Sequence, residues 1–115
     1  MSMMERILRL MAEKKASDVY LSANSPALIK IDGVCVPINN QLLPPDAPRS
    51  LLAEIVSPHD METLQESGEL NMAVPLQGVG RFRISGMRQR GSVAVVIRFI
   101  SQQVPKLQDL QLPPI

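Results

Sequence analysis

The sequence predicts an α+β domain: an antiparallel sheet of about six strands with helices packed on one side. Three observations carry this. Apolar residues switch between helical and strand-like spacing in the order α-β-β-β-α-α-β-β-β. Asp32-Gly33, set between two apolar runs, is the residue pair that a type I′ hairpin turn requires. The chain has 115 residues, enough for one domain with one core.

The elements follow in order. Residues 3–15 read as a helix, with Ile7, Leu8, Leu10 and Met11 as its apolar stripe. Glu5, Arg6, Arg9, Glu13, Lys14 and Lys15 form its wet face, and the two lysines in the last turn suit the helix dipole. Ala16-Ser17-Asp18 is a turn into a short strand, Val19 to Ser22, which Ala23-Asn24-Ser25-Pro26 breaks. Ala27 to Ile31 and Val34 to Ile38 flank the Asp32-Gly33 turn, and Pro37 marks an edge position or a strand end. A loop with Pro44-Pro45 leads to a helix from Pro48 to Val56, with Leu51, Leu52, Ile55 and Val56 inward. Ser57 as N-cap and Pro58 at the first helical position start another helix, which Gly68 ends. Met61 and Leu64 face its core side. Glu69 to Leu76, Gly80 to Met87 and Ser92 to Ile100 read as strands, joined by Gln77-Gly78-Val79-Gly80 and by Arg88-Gln89-Arg90-Gly91. After Ile100 the chain turns Gln/Pro-rich, as a linker does.

Composition removes several function classes. Hydrophobic residues make up 45% and charged residues 20%, which is ordinary for a globular domain. Tyr20, Phe82 and Phe99 are the aromatic residues, too few for a platform that stacks bases. The lone Cys35 leaves no internal disulfide, and with the lone His59 it makes no zinc set. No apolar run is long enough to span a bilayer, and the charged first fifteen residues show no secretory signal. A cytosolic setting fits both. Gly78-Val79-Gly80 lacks the Lys-Ser/Thr of a phosphate loop and reads as a hairpin turn. Asp18 reads as a turn-capping residue, His59 as a surface side chain, and Cys35 as a small buried hydrophobe. No nucleophile, base and orienting group come together, so the chain alone is not expected to be an enzyme.

The charge distribution carries the functional signal. The net charge is +1, but residues 1–69 hold six Lys/Arg against ten Asp/Glu, and residues 70–115 hold six against one. Five of the latter six are Arg81, Arg83, Arg88, Arg90 and Arg98, with no acidic residue between Glu69 and Asp109. Strand alternation puts Phe82 and Ile84 on one face and Arg81 and Arg83 on the other. On the last strand it puts Val93, Val95, Ile97 and Phe99 on one face and Arg98 on the other. If the apolar sets meet the helices, Arg81, Arg83 and Arg98 share the far face, and Arg88 and Arg90 crown the hairpin tip. Taken alone, such a face reads as a solvated surface kept soluble by charge. The lack of acidic neighbours, and a guanidinium fork that binds two oxygens at once, point instead to a phosphate or an acidic partner.

A series of short motifs then carries a resemblance. Ala16-Ser17-Asp18-Val19-Tyr20-Leu21-Ser22 follows an amphipathic helix, and Ile29-Lys30-Ile31-Asp32-Gly33 follows that. Gly80-Arg81-Phe82-Arg83-Ile84-Ser85, Arg90-Gly91, Val96-Ile97-Arg98-Phe99-Ile100 and Leu110-Gln111-Leu112-Pro113 come after, in that order. This series resembles the N-terminal domain of the PilT/PilU type IV pilus retraction ATPases, of the type II/IV secretion ATPase superfamily. The resemblance runs from Met4 to Pro113, with Ala16 to Ile38 nearer the PilU-like branch.

The resemblance implies a PAS-like curved antiparallel sheet over residues 1–104. It makes residues 105–115 the start of a linker to a RecA-like ATPase domain that carries the Walker motifs. It implies a bacterial, cytoplasmic homo-hexamer at the inner-membrane pilus base, which binds ATP and Mg and drives twitching motility. The partners it implies are the RecA-like domains of the same and adjacent subunits and the pilus base machinery, with no nucleic acid and no membrane insertion. The N-terminal domain of such a motor packs on the neighbour's ATPase domain and offers arginines to its nucleotide. The matching residues are Arg81, Arg83, Arg90 and Arg98. No cofactor is expected to bind tightly to this chain by itself. Rival expectations are a stand-alone PAS-like small-ligand sensor and a nucleic-acid module on the arginine face.

Overall fold

The computed structural model describes residues 3–89 and 91–100. The proposed linker 105–115 and the Leu110 to Pro113 motif lie outside the described residues, as does Arg90. The chain runs α1 (Met3–Lys14), β1 (Asp18–Leu21), β2 (Leu28–Ile31), β3 (Val34–Pro37), α2 (Ala47–Ala53), α3 (Pro58–Ser67), β4 (Glu69–Leu76), β5 (Gly80–Gln89) and β6 (Ser92–Ile100). That is the α+β order expected.

Helix α1 buries Met4, Ile7, Leu8 and Met11, one stripe at helical spacing. It ends in a Schellman motif: Ala16 N–H donates to Met11 O at 2.8 Å and Lys15 N–H to Ala12 O at 3.3 Å. Lys15 therefore lies beyond the helix, at φ 57, where glycine is the usual occupant. Asp32 at φ 52 and Gly33 at φ 81 make the type I′ turn between β2 and β3. Helix α3 starts on a reciprocal capping box, in which Asp60 N–H donates to Ser57 Oγ at 3.1 Å and Ser57 N–H to Asp60 Oδ2 at 3.3 Å. It stops at Gly68, φ 89.

Helix α2 is shorter than the apolar spacing predicts, ending at Ala53 rather than Val56. Proline disfavours helical backbone in the residue before it, and Ser57 is extended at ψ 161. The last turn tightens, with Glu54 N–H donating to Leu51 O at 3.2 Å and Ile55 N–H to Leu52 O at 3.1 Å. Glu54 Oε1 then accepts the Met4 N–H at 2.8 Å, so this connection caps the start of α1.

The six strands form one antiparallel sheet in the order β3-β2-β1-β6-β5-β4. Two three-stranded meanders are thus joined along β1 and β6, the first strand and the last. The three helices cover one face. There Val19, Leu21, Ile29, Phe82, Ile84, Val93, Val95 and Ile97 pack with the α1 stripe, Leu52 of α2 and Leu64 of α3. Phe82 lies opposite Phe99 with ring centroids 5.1 Å apart, which holds the β5–β6 register on this side. Helix α2 comes so close at Gly86 that a Cβ there would stand 2.9 Å from Leu52 Cδ2. The edges carry the prolines: Pro37 ends β3 and Pro75 sits in β4.

Besides the end of α2, two expectations fail here. Cys35 is exposed, not buried, because β3 is an edge strand and Cys35 points to the face the helices leave open. Asp18 is a strand residue and not a turn cap: it begins β1, pairs with Arg98 and Lys30, and is 5% exposed.

Candidate functional site

The face opposite the helices holds the charged residues. Cross-strand partners share a face, so the register lines up Ala73, Arg83, Arg98, Asp18, Lys30 and Cys35 across the whole sheet. Arg81 stands in the next row, between Pro75 and Ile100. Arg81, Arg83 and Arg98 are all exposed, as alternation predicts.

Backbone bonding sets how close these side chains come. Phe99 N–H donates to Ser17 O at 3.1 Å, which makes the next pair along, Asp18 and Arg98, a non-hydrogen-bonded pair. Such pairs bring Cα atoms to about 4.5 Å, the nearer of the two antiparallel spacings. On β5, Arg88 N–H turns toward β4 and donates to Gly68 O at 2.8 Å. By alternation Arg83 bonds toward β6, and its Cα lies about 5.5 Å from that of Arg98. Two arginines therefore stand side by side with one carboxylate on the nearer flank. Arg98 Nε donates to Asp18 Oδ1 at 3.3 Å. Among the described residues Arg81, Arg83 and Lys30 form no ion pair. Adjacent like charges destabilise a sheet, so folding does not account for this row.

The other basic residues divide differently. Arg88 is an even-numbered β5 residue and belongs to the helix side. It does not crown the hairpin: its Nη1 donates to Gln65 O and so satisfies the end of α3. Arg90 lies outside the described residues. His59 is exposed, with Nδ1 3.9 Å from Glu62 Oε1. Among the described residues no group of three or more His, Cys, Asp or Glu gathers as a metal site. Among the described residues no helix is long and apolar enough to cross a membrane.

Sequence reasoning missed Asp18 and Lys30. They lie far from the arginine segment in the chain, and only the pairing of β1 with both β2 and β6 inserts them into the row. The Ala16-Ser17-Asp18 motif was a signal for Asp18, but its role was misread as a local one.

Fold and face together define an α+β sheet domain with one face buried and one open and cationic. No family model matches the chain. Over 111 residues it is 35% identical to the type IV pilus ATPase PilU of Pseudomonas aeruginosa, covering 96% of this chain and 29% of that protein. Over 104 residues it is 29% identical to the type IV pilus retraction ATPase PilT of the same organism, covering 90% of this chain and 30% of PilT. A crystal structure of the pilus retraction motor PilT with bound ADP superposes at TM-score 0.82 with 32% identity, covering 98% of this chain and 33% of that one. The chain spans less than a third of the length of these curated relatives. Its fold and sequence are thus similar, over nearly the whole chain, to part of the PilT/PilU pilus ATPases, consistent with an N-terminal domain of such a secretion ATPase.

Proposed function

We propose that this chain is the assembly and nucleotide-clamping domain of a hexameric pilus-retraction ATPase. It packs on the ATPase domain of the adjacent subunit and offers Arg81, Arg83 and Arg98 to the ATP bound there. The observation that carries this reading is the open face. Three arginines from two strands converge on a surface that no helix covers, and two of them lack any acidic partner among the described residues.

The residues fit a polyphosphate. Each guanidinium presents a planar fork to two oxygens, and the Arg83–Arg98 spacing matches a run of neighbouring anionic groups better than a single charge. Bound ATP with Mg would bring that anion to the subunit boundary. The part of this chain is to hold and orient the phosphates and keep the two domains in register. An arginine supplied in trans to a γ-phosphate is worth ~10³ or more in rate. The domain then works in the cytoplasm, at the pilus base, within a twitching-motility machine. Arg90 remains a fourth candidate by resemblance.

The gene read past the codon for Ile115 tests this. The expected result is a frame that continues into Gly-x-x-x-x-Gly-Lys-Ser/Thr; a stop codon at that point overturns the motor reading.

A second reading, a small-ligand sensor, draws on one feature. A cavity of about 330 Å³ opens between α1, α2 and residues 38–44, with Ile7, Leu21, Ala27, Leu43 and Leu51 among its lining. Under that reading a small apolar ligand raises the melting temperature of the chain.

A further inference from the structure

We propose that Asp18 is the positioning residue of Arg98: it holds the guanidinium by Nε and leaves the terminal amino groups pointing out to take a phosphate. This deepens the phosphate-clamping reading and rests on it.

The argument starts from burial. Asp18 has a side chain 7% exposed, and its Arg98 partner is 71% exposed. A carboxylate so withdrawn from water is retained only where it is paired. Its neighbours in the row are Arg98 on β6 and Lys30 on β2, yet it pairs with one of them: Arg98 lies at 3.3 Å, and among the described residues Lys30 makes no ion pair. The carboxylate is therefore aimed at the arginine. The register favours this, since Asp18 and Arg98 form the closer kind of antiparallel pair.

The atom that is used matters. Arginine has five N–H donors, one on Nε and four on the terminal nitrogens. A contact through Nε ties the stem of the side chain and spends one donor. The outer fork, exposed to solvent, keeps the donors that bind phosphate bidentately. Arg83 and Arg81 have no such tether among the described residues. The open face thus contains one arginine set in advance and two free to adapt.

Asp18 acts on an anion in two opposite ways. Its charge repels a phosphate, while its grip on Nε removes ordering that Arg98 would otherwise undergo on binding. Ordering one long side chain weakens binding by about two- to tenfold. A double-mutant cycle separates the two effects.

The probe is inorganic tripolyphosphate at millimolar concentration and low salt, titrated into the 115-residue chain and read by NMR of the arginine Nε–H groups. The proteins are wild type, Asp18→Asn, Arg98→Ala and the double variant. With Arg98 present, Asp18→Asn is expected to weaken binding about two- to tenfold relative to its effect in the Arg98→Ala background. An equal effect in both backgrounds overturns the positioning role and leaves the phosphate surface standing. Absence of any wild-type binding overturns the phosphate surface and this proposal together. A measurement on wild type alone guards against a variant that fails to fold. The Arg98 Nε–H is expected to exchange with solvent more slowly than that of Arg83, and equal rates overturn the proposal.

Discussion

The two faces of this sheet share their strands and follow opposite rules. On β5, Phe82 and Ile84 are buried while Arg81 and Arg83 are exposed; on β6, Val95 and Ile97 are buried while Arg98 is exposed. The covered face is apolar, tightly packed and close enough to α2 that glycine is needed at position 86. The open face sets arginine beside arginine, an arrangement that works against the fold. The difference teaches where stability and function reside. Period-two alternation lets one strand specify a core on one side and a binding surface on the other, so neighbouring substitutions should have unrelated consequences.

The comparison breaks hardest at Phe82 and Arg83, adjacent residues on opposite faces. Phe82→Ala should destabilise the chain by ~3–5 kcal/mol in urea unfolding, as expected for emptying a fully buried aromatic site. Arg83→Ala should leave unfolding within ~0.5 kcal/mol. In the complete ATPase, the same change should lower turnover by up to ~10³. Loss of stability without loss of turnover would reverse the assignment of the faces. Gly86→Ala sharpens the picture of the covered face. The added Cβ would stand 2.9 Å from Cδ2 of Leu52, a fully buried side chain that must shift to admit it. A cost of ~1–3 kcal/mol is expected in thermal melts.

Two smaller effects belong to neither face and calibrate the others. Ser57→Ala removes half of the α3 capping box, and a loss of ~1 kcal/mol should show in the melting curve. Lys15→Gly should raise stability by ~0.5–1 kcal/mol, because φ 57 is strained for lysine and free for glycine. A drop at Lys15→Gly would mean that the lysine side chain itself stabilises the end of α1.

Legibility in the sequence followed how local each determinant is. The start and stop of α3 were readable because Ser57, Pro58, Asp60 and Gly68 act within one or two turns. The β2–β3 hairpin was readable because Asp32 and Gly33 encode their own dihedrals. The bounds of β4 and β6 were readable from apolar alternation between turn residues. The open arginine face was readable too, since alternation needs only to know which side is apolar. Arg88 was misplaced because its partner, the end of α3, lies 23 residues away in the chain. Cys35 was misplaced because strand propensity does not say which strand becomes an edge. The end of α2 was overrun because its apolar spacing continues to Val56 while the backbone before Pro58 cannot stay helical.

By itself, then, the sequence determined the order of the nine elements found among the described residues, the β2–β3 turn and the two-sided character of the late strands. All of these rest on steric and hydrogen-bonding preferences within a few residues. Only the tertiary structure decided that β1 lies between β2 and β6, and with it that Asp18, 80 positions from Arg98, is the carboxylate that meets it. Pairing of the first strand with the last is set by closing one hydrophobic core under three helices. That is a collective choice, and no local stretch of the chain encodes it.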